Sequence, residues 1–199
     1  MSPTKRRLPP PIPIAIVALS LLSCSVCGIT LENTPATVRE FQLEDLFLPA
    51  SSFPEGWRRS SDTPREACSA SPLGSGCPTY GETLDYTDRY SEHRATETIY
   101  HFRIPDWAAS DFDDVIELEF TSSQYAQPWQ ETSYPESLAP GATNSYLACR
   151  EGPRGPECQF AARYEEFVVV LNIQTDGVGD SQLADLLLAI DERMTSFLY

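Results

Sequence analysis

Lysine is almost missing from this chain of 199 residues: Lys5 is the only one. No Schiff base, phosphate-loop lysine or lysine general base can therefore be assembled beyond the first residues. Histidine is nearly as scarce, with His93 and His101 only. The sequence also lacks a Gly-x-Ser-x-Gly elbow, a His-Glu-x-x-His pair, a glycine-rich phosphate loop and a dinucleotide fingerprint. Positive charge is short throughout: 14 Lys and Arg stand against 29 Asp and Glu, a net charge of -15. Setting aside Lys5, Arg6 and Arg7 leaves 11 arginines and a balance of -18. Nucleic acid is excluded as a partner, because a polyanion is bound by a basic surface that releases its counterions. The same balance argues against adsorption to anionic head groups, so a membrane hold would come from the N-terminus. The plain consequence of the acidity is solubility.

What is present begins with a leader. Lys5, Arg6 and Arg7 are followed by no charged side chain until Glu32. A positive start and an apolar run make a secretory signal. Pro9, Pro10, Pro11 and Pro13 confine the efficient apolar run to Ile14–Leu22, since proline is not tolerated inside a helix. That is shorter than the roughly 20 residues of a bilayer span. Leu21, Leu22, Ser23 and Cys24 resemble the lipobox of bacterial lipoproteins, which implies that Cys24 is acylated and becomes the mature N-terminus. Cleavage after Gly28, or an uncleaved anchor reaching Leu31, are the alternatives. All three send the remainder out of the cytoplasm, because the basic flank stays inside. The expected organisation is 1–23 as a lipoprotein-type signal or N-terminal anchor, 24–44 as a tether, and 45–199 as a single extracytoplasmic α+β domain. The expected partners are the membrane, through the N-terminus, and an unknown small molecule or envelope protein.

Cysteine spacing supplies a second framework. Cys68 and Cys77 are separated by eight residues, and so are Cys149 and Cys158. Four cysteines in an exported chain point to disulfides, with three connectivities open and local pairing the simplest. "CREGPRGPEC" reads as a hairpin whose long loop is stapled at its base. Each local bridge would stabilise by roughly 2–3 kcal/mol. Zinc ligation needs closer pairs, and only Cys24 and Cys27 approach that spacing, inside the leader. No metal or cofactor is expected.

Periodicity gives the elements. Residues 95–104 alternate, with Tyr100, Phe102 and Ile104 on one face and His101 and Arg103 on the other, as in a half-buried strand ended by Pro105. A helix is predicted over 110–122, capped by Ser110 or Asp111, with acidic residues in its first turn. The alternation of "VIELEF" offers a strand there instead. Residues 145–149 and 158–173 read as β, and "FVVVLNI" is apolar on both faces, which suits a central strand. "TDGVGD" forms a turn and lacks the ligand pattern of an EF-hand. Leu183, Leu186, Leu187, Ile190, Met194 and Phe197 then follow helical spacing, capped by Asp180 or Ser181. The expected fold class is α+β: an antiparallel sheet packed by one or two helices, with local disulfide-stapled loops.

"LFLPASSFPEGW", residues 46–57, resembles the opening of small extracytoplasmic domains of bacterial lipoproteins and sensor-type membrane proteins, where an apolar strand leads into a proline-containing turn and a tryptophan. The later order of stapled hairpin, apolar strand and C-terminal helix is similar to sensor-like domains attached to some actinobacterial serine/threonine kinases. The resemblance covers the short N-terminal motif and the last third of the chain. It implies an α+β domain with a cleft, ligand-sensing and not catalytic, and it carries over no functional residue. Three aromatics in a proline-containing loop, Tyr125, Trp129 and Tyr134, are the candidate ligand-binding residues, because aromatic faces serve carbohydrate or apolar ligands. Catalytic residues are not assigned: 29 acids make accidental carboxylate pairs such as Asp113 and Glu117 uninformative, and neither histidine is marked for a triad. The expected function is a membrane-anchored, non-enzymatic ligand- or partner-binding domain. The alternatives are an envelope structural protein and a metal-independent hydrolase using unflagged carboxylates or a serine, with His93 or His101 beside the nucleophile in a deep pocket.

Overall fold

The computed structural model describes residues 42–67, 80–90, 92–115, 129–131, 138–176 and 178–199. Cys24, Cys68, Cys77, Tyr125 and Tyr134 lie outside them. Among the described residues, no helix is long and apolar enough to cross a membrane.

Among the described residues, eight strands form one sheet, antiparallel in every pairing: β1 (Arg58–Arg59), β2 (Arg65–Glu66), β3 (Tyr80–Thr87), β4 (Arg94–His101), β5 (Gln130–Glu131), β6 (Asn144–Gly152), β7 (Gly155–Tyr164) and β8 (Phe167–Gln174). Their order is β1-β3-β4-β8-β7-β6-β5, with β2 also paired to β3. Helix α1 spans Pro105–Val115 and α2 spans Asp180–Leu198. The fold is α+β, as the sequence implies.

β8 sits between β4 and β7, which explains the unbroken apolar run of "FVVVLNI". Its Phe167, Val169, Leu171 and Ile173 join the main core, while Val168 and Val170 join a second cluster on the opposite face. The main core is closed by Leu186, Leu187, Ile190 and Met194 of α2, together with Phe47, Leu48, Phe53 and Trp57 of the N-terminal segment. The second cluster is closed by Ala108 and Phe112 of α1.

Several local expectations are corrected. α1 begins at Pro105, not at 110, because proline fits the first helical position, where its missing N–H has no partner to lose. The strand before it ends at His101, leaving Ile104 exposed. Residues 46–48 do not form a strand: the chain makes 3-10 turns at Leu43–Leu46 and Ala50–Ser52. Residues 158–173 are two strands, turning at Glu165 and Glu166, where Glu165 takes a positive φ of 49°. The α2 N-cap is Gly179, whose N–H is accepted by Gln182 Oε1 at 3.1 Å. Phe197 of α2 is partly exposed, and Leu198 is buried in its stead.

The Cys149–Cys158 bridge forms between residues directly opposite in the β6–β7 ladder. It staples no long loop: the ladder continues to Gly152 opposite Gly155, and Gly155 adopts a φ of +116° that makes the reversal compact.

Two buried carboxylates tie peripheral segments to this frame. Glu97, 1% exposed, accepts from Leu48 N at 3.0 Å and lies 3.0 Å from Tyr86 Oη; Tyr86 also donates to Leu48 O at 2.7 Å. One phenolic proton cannot serve both acceptors. A protonated Glu97 can donate to Tyr86 Oη while Tyr86 donates to Leu48, which satisfies all three groups. Burial raises the Glu97 pKa to about 7 against 4.5, despite the Leu48 and Tyr86 hydrogen bonds and the nearby Arg59 and Arg193 charges. Asp191 plays the matching part on α2, accepting from Gly141 N at 3.0 Å and Tyr164 Oη at 3.1 Å. A Cβ at Gly141 would stand 2.1 Å from Thr195 Cγ2, so only glycine lets that backbone approach.

Replacing Cys149 and Cys158 together by serine should lower the unfolding free energy by roughly 2–3 kcal/mol, read from the urea midpoint; an unchanged midpoint would refute a stabilising bridge. Glu97 supplies a pH test. Its folded pKa lies above its unfolded one, so between pH 4.5 and about 7 the folded state keeps a proton that the unfolded chain has released. Stability from this group therefore falls as pH rises through that window, by about 3 kcal/mol in all, and levels off above it. Glu97→Gln should remove that slope relative to the parent; parallel pH profiles would rule the desolvated carboxyl out.

Candidate functional site

The face of the sheet that carries the second cluster is divided. Under α1 it is apolar: Phe102, Ala148, Ala161, Val168 and Val170. Towards the β1–β3–β4 edge, the same face carries polar side chains. Alternation along β4 puts Ala95, Glu97 and Ile99 into the main core and turns Arg94, Thr96 and Thr98 the other way. Opposite them in register stand Thr87, Asp85 and Thr83 of β3. Arg58 of β1 faces Thr87, and Arg65 of β2 faces Thr83. Arg58, Thr87 and Arg94 thus form one row across three strands.

A cleft of about 790 Å³ opens over this region, lined by Arg58, Arg59, Arg65, Asp85, Thr87, Arg94 and Thr96 among others. A second cleft, about 330 Å³, shares Arg94 and Thr96 and adds Arg154, Glu157, Asn172 and Gln174. Both carboxylates in these walls are engaged by arginine. Asp85 accepts from Arg65 and, at 2.9 Å, from Thr96 Oγ1. Glu157 accepts from Arg150 Nε. Arg59 donates to Leu48 O at 3.2 Å, and the Arg94 N–H is held by Gln174 Oε1 at 2.9 Å. The exposed guanidinium groups of Arg58, Arg94 and Arg154 have no carboxylate partner among the described residues.

Of the predicted aromatic site, Trp129 alone is placed. It packs against the second core cluster with Tyr100 and Tyr146, and the Arg150 guanidinium lies 4.1 Å over its ring. That contact uses a ring face for packing and cation–π attraction. His93 bridges two acids, with Nδ1 3.0 Å from Asp88 and Nε2 3.5 Å from Asp176. The Asp88 pKa is lowered despite the desolvation that opposes it, by hydrogen bonds from His93 and from the backbone. His101 stacks on Phe167 at 4.7 Å, and burial lowers its pKa. Asp176 and Asp180 flank a turn closed by Val178 N on Thr175 O at 3.0 Å. No cluster of three His, Cys, Asp or Glu side chains among the described residues is placed to hold a metal ion.

The arginine cleft escapes sequence reasoning because its members come from four separated strands and a turn. The one available signal is arithmetic: of 11 arginines outside the leader, five lie between positions 58 and 94, and four of these, Arg58, Arg59, Arg65 and Arg94, line the cleft.

No protein-family model and no curated protein matches the chain. Among solved structures, it is similar to the extracellular domain of PknH from Mycobacterium tuberculosis, with a TM-score of 0.42 and 12% sequence identity, over 70% of this chain and 82% of that one. A likeness at that level carries no functional argument, and the function is read from this chain's own residues.

Proposed function

We propose that this chain is an extracytoplasmic, non-enzymatic binding domain, held at the membrane through an acylated Cys24, and that its ligand enters the cleft at the β1–β3–β4 edge. The observation that carries this reading is the divided sheet face. A cleft of about 790 Å³ opens over the polar half of that face, a volume in the range of small-molecule sites. An envelope component with a purely structural role would be expected to present an apolar patch and no such concavity. A hydrolase of the serine type would need an imidazole ring nitrogen beside its nucleophile. Both ring nitrogens of His93 instead face carboxylates. The basic leader followed by an uncharged apolar run supports export, and the lipobox-like Cys24 supports a lipid anchor.

Native mass spectrometry of protein purified from source membranes in mild detergent tests this reading. The denatured mass should match a chain starting at acylated Cys24, less two hydrogens per disulfide, and the native mass should exceed it by a ligand lost on denaturation. Equal native and denatured masses would count against a resident ligand, and a mass starting at Met1 or Ile29 would overturn the lipid anchor.

A further inference from the structure

The structure assigns the cleft a ligand chemistry: we infer that it takes a phosphoryl-bearing anion, gripped between Arg58 and Arg94 with Arg154 alongside. This inference rests on the cleft reading above and narrows it.

Placing cations together costs electrostatic energy unless something negative lies between them. This chain has 29 acidic side chains with which to neutralise an arginine, and around the clefts it does so selectively. Arg65 is matched to Asp85 and Arg150 to Glu157, while Arg58, Arg94 and Arg154 are left facing the clefts. Packing gives these three no reason to be arginine, because each is solvent-exposed. Their placement accounts for itself once an anion is supplied.

Register narrows the class. Arg58 and Arg94 flank Thr87 on adjacent strands, so their α-carbons stand about 10 Å apart, two strand spacings. Two long side chains on one face can close over that gap from both sides. A lone carboxylate brings one negative charge, which a single bidentate guanidinium balances. Two or three guanidinium groups call for an anion with more than one charge and at least three acceptor oxygens, which describes a phosphate monoester or diphosphate group. Arginine in place of lysine adds the fork geometry that such groups accept bidentately. The net charge of -15 does not forbid approach: acids farther than about 8 Å are largely screened at physiological ionic strength, and a cleft focuses the field of its own walls. The phosphoryl group can belong to a soluble ester or to a lipid head group.

The full chain in neutral detergent, in buffer without divalent cations, should be titrated with inorganic pyrophosphate by calorimetry. In parallel it should be titrated in the same detergent with short-chain phosphatidic acid and, as a control, short-chain phosphatidylcholine. Expected is saturable binding of pyrophosphate or of phosphatidic acid, weakened at least tenfold in the R58A/R94A double variant and unchanged in R103A. Pyrophosphate binding points to a soluble ester, and phosphatidic acid binding alone points to a head group. The urea midpoint of R58A/R94A should match the parent, which separates lost binding from lost folding. Binding that survives R58A/R94A overturns the site, and no response to either probe overturns the anion class. An uncharged molecule found in the native mass measurement, alongside no response to pyrophosphate or phosphatidic acid, would discard the phosphoryl inference while leaving the cleft reading standing. No bound molecule and no response would discard both.

Discussion

Everything in this domain depends on strand β4 being two-faced. Its period-two alternation sends Ala95, Glu97 and Ile99 into the main core and Arg94, Thr96 and Thr98 to the other side. Because β4 lies between β3 and β8, it transmits that division to both neighbours. On β8 the second face begins apolar, with Val168 and Val170 under α1, and becomes polar at Asn172 and Gln174 in the wall of the smaller cleft. A one-residue slip of β4 would exchange the faces, burying Arg94 and exposing Ile99. The helix α1 packs on the apolar end, and the polar end forms the wall of a cleft.

Within the main core the chain accepts two ionisable groups where apolar side chains would pack. Glu97 stands opposite Leu84 and Leu171 in register, and it repays its desolvation by fixing both polar atoms of Leu48, directly and through Tyr86. Asp191 fixes the Gly141 turn in the same manner, with Tyr164 as its phenolic partner. Each carboxyl–tyrosine pair specifies where one peripheral segment docks. Hydrophobic residues of similar volume would hold the core but leave that docking less defined. Glu97 also makes the seat of Leu48 sensitive to protonation near neutrality.

The charge distribution follows a similar logic. A strongly acidic chain keeps its arginines for specific tasks: Arg193 binds the carbonyl of Asp45 at 2.8 Å, Arg59 that of Leu48, and Arg150 covers Trp129. Those arginines hold backbone or aromatic surfaces in place. Arg58, Arg94 and Arg154 line the clefts instead.

Sequence alone determined what depends on neighbours close along the chain. The C-terminal helix, the central character of "FVVVLNI" and the Cys149–Cys158 hairpin are each written in a continuous stretch, because helical spacing, apolar runs and short-range cysteine pairs need no distant partner to be recognised. Element ends were less legible: Pro105 reads as a strand terminator until the helix that it starts is seen. The tertiary structure alone decided which residues share a face with which. Glu97 reads as a surface acid by type and is buried because β4 is central. Arg58, Arg65, Arg94 and Arg154 read as scattered solvating charges and meet because antiparallel pairing brings β1, β2, β3 and β4 into one register and the β6–β7 turn beside them. Pairing of that kind is fixed by backbone hydrogen bonds between distant segments, and no local pattern encodes it.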